Sequence, residues 1–231
     1  MLEDGLSYPA RGDDALGRVV IGGILGFGSV LVVPAFLLLG YLVRVLEQSA
    51  RNVEEPPSFE DWGGLLVDGL KATAVVVVYG LVPFGLLAVS GTVFAGGVVA
   101  GGETVTGVVG GLGALGLLVS LLATALLYYL VPAALSSMAV QGSFGDAFDA
   151  GTLKSLLLSA DYLLAWFVPF VIAVALNVVV AVLALTVVGL LVVPFLQFYV
   201  QVAVFYMFGA AYGTVVGVDD AGPESAATAA V

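Results

Sequence analysis

The chain has 231 residues, 61% of them hydrophobic, with a mean hydropathy of +1.17, 17 acidic and 6 basic residues, and no Cys or His. A soluble domain is roughly 45–50% apolar, so that class is excluded, and a net charge of -11 excludes a nucleic-acid binder, which needs clustered Lys and Arg. Without Cys or His there are no disulfides, no Ser-His or Cys-His nucleophile and no ordinary zinc ligands, so no catalytic, cofactor or metal residues are assigned and no enzyme activity is expected.

Residues 1–18 read as a polar N-terminal segment. Glu3, Asp4, Asp13 and Asp14 replace the basic stretch of a secretory leader, so no cleaved signal is expected. Asp13 or Asp14 is placed to cap a helix beginning near Ala15. Residues 19–216 then form a single transmembrane domain. About 20 apolar residues cross a bilayer, and five runs meet that length, at about 19–46, 72–95, 107–139, 161–185 and 190–216. Each must be helical, because an unpaired backbone amide in hydrocarbon costs several kcal/mol. The fold class is therefore an all-α integral membrane bundle of about five Pro-kinked helices. Pro34, Pro83, Pro132, Pro169 and Pro194 supply one proline per span.

Pro56-Pro57 end the first run, and a turn near Thr186–Gly189 is needed to fold residues 158–216 back once. A Gly-rich loop with Gly96, Gly97, Gly101, Gly102 and Glu103 separates the second and third runs. Residues 217–231 read as a disordered acidic tail.

Two stretches resemble each other. Ser58-Phe59-Glu60-Asp61 precedes Leu70-Lys71, and Ser143-Phe144-Gly145-Asp146 precedes Leu153-Lys154. Each has a Ser at N-cap and an Asp at N3, a variant capping box. Phe59, Trp62, Leu66 and Leu70 fall opposite Asp61, Asp68 and Lys71 on a helical wheel. Phe144, Ala147 and Phe148 do the same against Asp146 and Asp149. Two short amphipathic interfacial helices are expected, at about 59–70 and 144–152, within a parallel repeat of two units.

The remaining polar groups suggest two candidate sites. Asp68, Lys71, Lys154 and Asp161 stand at span entrances, as a vestibule or as interfacial anchors. Asn177, Gln197 and Gln201 lie inside spans, as a polar path or as interhelical contacts. Asn177 and Gln197 each sit ten residues from a turn near residue 187, about 15 Å below it, so a bond to each other or to one shared group is expected. Glycine pairs at Gly22/Gly26, Gly107/Gly111 and Gly209/Gly213 allow close helix packing. The positive-inside rule places loops 47–71 and 141–157 in the cytoplasm and the N-terminus outside.

Leu6-Ser7-Tyr8-Pro9, Arg11-Gly12-Asp13-Asp14, Gly40-Tyr41-Leu42-Val43-Arg44 and Asp61-Trp62 through Asp68-Gly69-Leu70-Lys71 resemble the membrane family called domain of unknown function 4013, common in halophilic archaea. The resemblance extends to about residue 215. It implies a polytopic membrane protein and agrees with acidic, Lys-poor loops suited to high salt. It implies no activity. The expected role is a membrane scaffold or accessory subunit in the cell membrane, in contact with the lipid bilayer and with other membrane proteins or copies of itself. The alternative is a small permease with a path between the repeat units. A solid glycine-packed bundle favours the first, and a polar cavity open to one side favours the second.

Overall fold

The computed structural model describes residues 2–99 and 102–218, and those residues are all-helical with no strand. The helices are α1 (Leu2–Ser7), α2 (Ala15–Phe27), α3 (Val32–Ala50), α4 (Trp62–Val99), α5 (Glu103–Val105), α6 (Gly111–Gln141), α7 (Ala150–Leu157), α8 (Ala160–Leu183) and α9 (Val187–Val216). Five helical stretches are long and apolar enough to cross a membrane: Val32–Ala50, Trp62–Val99, Thr106–Gln141, Ala160–Leu183 and Val187–Val216. The expected acidic tail falls at 219–231, outside the described residues.

Contacts divide the chain into two compact units, residues 1–73 with 132–231, and residues 74–131. The larger unit is built on α9. The polar chain between Thr186 and Gly189 folds back as its composition predicts: the Thr186 hydroxyl accepts from the Gly189 amide at 2.9 Å and caps α9. α8 therefore runs antiparallel to α9, with the Tyr162 and Phe208 rings 5.9 Å apart near its start.

The expected first span, 19–46, is not one helix. It breaks at Gly28–Leu31, where Leu31 is extended (φ -88, ψ 142), and Pro34 lies in the first turn of α3, where its missing N–H leaves no bond unmade. α2 and α3 run antiparallel. Gly28 at the end of α2 approaches Pro34, while Arg18 near its start donates to the Pro56 carbonyl beyond α3. The N-terminal segment consequently lies at the same end as the 51–61 loop. Tyr8 donates to the Glu55 carbonyl at 3.0 Å, and its ring packs 4.3 Å from Tyr206. The expectation that the N-terminus faces away from that loop is corrected by this fold-back.

Helix ends follow backbone chemistry more than proline. α3 ends at Ala50, and Asn52, four residues before Pro56, turns the chain away in the left-handed conformation (φ 54). The Val53 amide bonds Gln48 and the Asn52 amide bonds Ser49, which is the paired closure of a Schellman motif. α2 begins at Ala15 after Asp14, as expected, although the Asp14 side chain makes no cap bond.

In lipid, apolar side chains gain little by meeting each other, so close backbone packing must hold the helices. Glycine provides it. Gly209 meets Ser49 and the Leu46 backbone, Gly213 meets Ala50, Gly40 meets the Leu65 carbonyl, and Gly69 meets the Phe36 carbonyl. Gly22 and Gly23 receive the rings of Phe198 and Phe195. At the polar end, Tyr8, Tyr41, Leu42, Val45, Phe59, Leu65, Phe198 and Val202 form a buried cluster, with the Tyr41 and Phe59 rings stacked at 4.1 Å.

The smaller unit is an antiparallel hairpin of α4 and α6, joined through α5 and a π-turn at Thr106–Gly110. Gly97, Gly113 and Gly116 pack against Gly110, Phe94 and Ser90, whereas Gly107 and Gly111 meet nothing within 4 Å.

The expected interfacial helix at 59–70 is also corrected. Residues 59–61 are non-helical, and 62–70 are the first turns of the continuous 38-residue α4. The second stretch behaves differently. Residues 144–148 form a 3-10 turn, and α7 stands as a separate eight-residue helix.

Candidate functional site

The close α3–α4 crossing creates a polar site. Gly40 and Gly69 bring the two backbones together, which puts Arg44, one turn after Gly40, beside Asp68, one residue before Gly69. Arg44 Nε donates to Asp68 Oδ2 at 3.1 Å, and its Nη2 donates to Asp61 Oδ2 at 2.7 Å. Asp61 is the residue before α4, and its other oxygen accepts from the Gly64 amide at 2.9 Å. That amide bond first, and Arg44 second, hold the Asp61 carboxyl below its ordinary value of 3.8. A side chain at position 64 would collide with Arg44 and Asp61, so Gly64 is part of the arrangement.

Two turns further on, just past the end of α3, Arg51 pairs with Glu47 at 3.3 Å and donates to the Val140 carbonyl at the end of α6 at 3.1 Å. Gln141 donates to Ser137 and, at 3.1 Å, to the Tyr212 hydroxyl of α9. These residues enclose a cavity of about 230 Å³, lined by Val43, Arg44, Glu47, Arg51, Asp68, Lys71 and residues 138–142. Three of the chain's six cations face it, against two carboxylates. Among the described residues Lys71 makes no ion pair, while both arginines do.

Of the four residues expected at span entrances, the fold brings Asp68 and Lys71 into this cavity. Lys154 and Asp161 are exposed on α7 and α8 and do not line it. Arg44, Glu47 and Arg51 belong to the site although their own stretch of sequence gives no sign of it. The available signals were the Glu47–Arg51 spacing of four and the small residues that permit the crossing. No Cys or His is present, and no metal-holding cluster of acids occurs among the described residues.

The expected interfacial residues divide. Phe59 is buried in the aromatic cluster, Trp62 is 44% exposed and Asp61 is exposed. Phe144 is half-exposed and pairs with Phe148 at 5.4 Å. Ser143 and Asp146 form the full capping box, with the Ser143 amide donating to Asp146 at 3.1 Å. Gln197 and Gln201 line a separate cavity of about 50 Å³ with Gly26, Ser29, Leu38, Pro194 and Phe198. Asn177 lies on an exposed face of α8 and is not among those lining residues.

A second polar feature sits at the start of α2. Arg18 is 8% exposed, donates to the Arg11 and Pro56 carbonyls, and leaves its buried Nε without a partner. Two carbonyl anchors tie α2 to both flanking segments at the polar end.

A family model described as a protein of unknown function, DUF4013, matches residues 27–185, more than half of the chain. The match includes Gly40–Arg44 and Asp61–Lys71. Residues 6–14 precede it, and it ends before α9. No curated protein and no solved structure matches.

Proposed function

The chain belongs to the DUF4013 family of proteins of unknown function, and from its geometry we propose that it serves as a membrane scaffold or accessory subunit. The observation that carries this reading is the glycine packing of α3 against α4 and α9, through Gly40, Gly69, Gly209 and Gly213. Backbones in such contact form a rigid body suited to presenting surfaces to neighbours. Long apolar faces of α8 remain for lipid or a partner, including Leu163, Phe167, Phe170 and Val174.

Orientation follows from charge. Arg11, Arg18, Arg44, Arg51, Lys71 and Lys154, all six cations, belong to the end that gathers the N-terminal segment, the 51–61 loop, the end of α6 and the start of α8. By the positive-inside rule this end faces the cytoplasm of the cell. The acidic excess at the same end suits work in high salt.

The test is purification from native membranes in mild detergent, beside reconstitution into liposomes. A stoichiometric partner or a stable self-assembly, with no solute flux above empty vesicles, is the expected outcome. Protein-dependent flux of a small solute would replace the scaffold by the permease.

A further inference from the structure

The cavity between α3, α4 and the end of α6 is lined by Arg44, Arg51 and Lys71 against Glu47 and Asp68, in a chain of net charge -11. Arg44 is divided between Asp61 and Asp68, and Arg51 between Glu47 and the Val140 carbonyl. Lys71 faces the same space with no carboxylate of its own among the described residues. Arg51 has further N–H donors beyond the two partners it holds, since a guanidinium carries five. An anion entering here meets one cation short of a partner and a second with donors to spare.

The surroundings indicate which anion. Val67, one turn before Lys71 on the same side of α4, is 52% exposed, and Leu70, next to Val67 toward the apolar side, is 57% exposed. Trp62, nine residues earlier and on the opposite side of α4, is 44% exposed, as expected of an indole that marks headgroup level. Helix side chains lean toward the helix N-terminus, so the Lys71 stem lies along this apolar surface while its ammonium reaches the polar end. The cavity, about 230 Å³, has room for a phosphate group and not for a whole lipid. A free oxyanion has no use for the apolar flank, whereas a lipid uses both parts.

We propose that this cavity binds the headgroup phosphate of an anionic membrane lipid, with Lys71 as its principal cation, Arg51 beside it, and the acyl chains lying on Val67 and Leu70. Basic pockets between membrane helices bind such headgroups in other proteins. The inference goes beyond the scaffold reading and requires only a bilayer, so failure of either leaves the other standing.

The full chain in neutral detergent micelles is titrated with a short-chain phosphatidylglycerol, and binding is followed by native mass spectrometry and by thermal shift. Saturable binding of one lipid is expected. Lys71→Gln weakens it about five-fold, the factor one cation near a membrane surface is worth. Lys71→Arg retains it, and Lys154→Gln, an exposed cation outside the cavity, leaves it unchanged. Equal losses in Lys71→Gln and Lys154→Gln would reduce the effect to diffuse surface attraction and overturn the site. Inorganic phosphate competing as well as the lipid would make it a free-oxyanion site and overturn the lipid. Should Lys71→Gln fail to fold, Arg51→Gln must show the loss in its place, and unchanged binding in that variant refutes the proposal.

Discussion

Residues 58–71 and 143–154 carry the same Ser-Phe-x-Asp opening and the same Leu-Lys close, yet they fold differently. In the first, no cap bond from Ser58 occurs among the described residues. Asp61 precedes α4, Phe59 stacks under Tyr41, and the helix runs on unbroken to Val99. In the second, Ser143 and Asp146 close a 3-10 turn, Asp149 caps α7, and Ser159 caps α8. The difference arises downstream of the shared motif. The second stretch offers two further N-cap residues, Asp149 and Ser159, and each starts a new helix. The first offers only Asp68, and Arg44 holds that carboxylate in an ion pair. Asp61, also paired with Arg44, still caps α4 through its other oxygen, whereas Asp68 lies inside the helix with its ion pair and makes no cap bond among the described residues.

The largest expected contrast is at the aromatic positions. Phe59→Ala removes a ring that is 6% exposed and should cost about 3–5 kcal/mol in thermal unfolding in detergent. Phe144→Ala, at 39% exposure, should change stability far less. Equal losses would mean the two stretches are anchored alike, which the fold denies.

Next comes Arg44→Ala, which strands the partly buried Asp68 and frees Asp61. A loss of about 2 kcal/mol is expected from bonds to charged groups. If freed Asp68 then acts as a cap, amide exchange in residues 66–71 should rise, making the first stretch resemble the second. Protection unchanged across those residues would break the argument from side-chain competition.

The capping prediction is smaller. Asp149→Ala and Ser143→Ala should each lower the melting temperature, by less than Arg44→Ala does, because each side chain accepts backbone amides. Ser58→Ala should leave the melting temperature unchanged, since Ser58 has no capping role.

The smallest effect is on pH. The carboxyls of Asp61 and Asp149 both sit below their ordinary 3.8, the first through the Gly64 amide and Arg44, the second through Thr152 and the Gly151 amide. A depressed folded value means the stabilisation is complete above the unfolded value and is lost as pH falls through the folded one. Melting temperatures should therefore hold from neutral pH down to about 4 and fall below it. The Asp61→Asn variant should fall less steeply than the wild type over that last range. A decline beginning near pH 6 would assign acid sensitivity to other groups.

Much of the fold is legible in the residues. Four of the five apolar runs, the Thr186–Gly189 turn and the Ser143–Asp146 box depend on neighbours close in sequence, and each is found in the structure. The break in the first run is not legible, because residues 19–43 are apolar on both sides of it, with Ser29 the single strongly polar residue. The available hints, Gly28-Ser29 and Pro34, also occur in helices that continue. Asn52 is a less conspicuous stop signal than Pro56-Pro57, although it is the one that ends α3. The cavity is half legible. Asp68 and Lys71 are evident from their spacing on one helix, but Arg44 and Arg51 join them through a helix crossing that depends on contacts distant in sequence.

The α2–α3 fold-back has a consequence for biogenesis. α2 has 13 residues and is about 20 Å long, shorter than the roughly 30 Å of hydrocarbon that a full span must cover. Both ends of the pair return to the face that holds Arg11, Arg18 and Arg51. The bend at the far end of the pair from those arginines is Gly28–Leu31, which carries no charge. Inserting this element therefore moves no ionised side chain across the bilayer, and a translocation machine need only admit an uncharged bend.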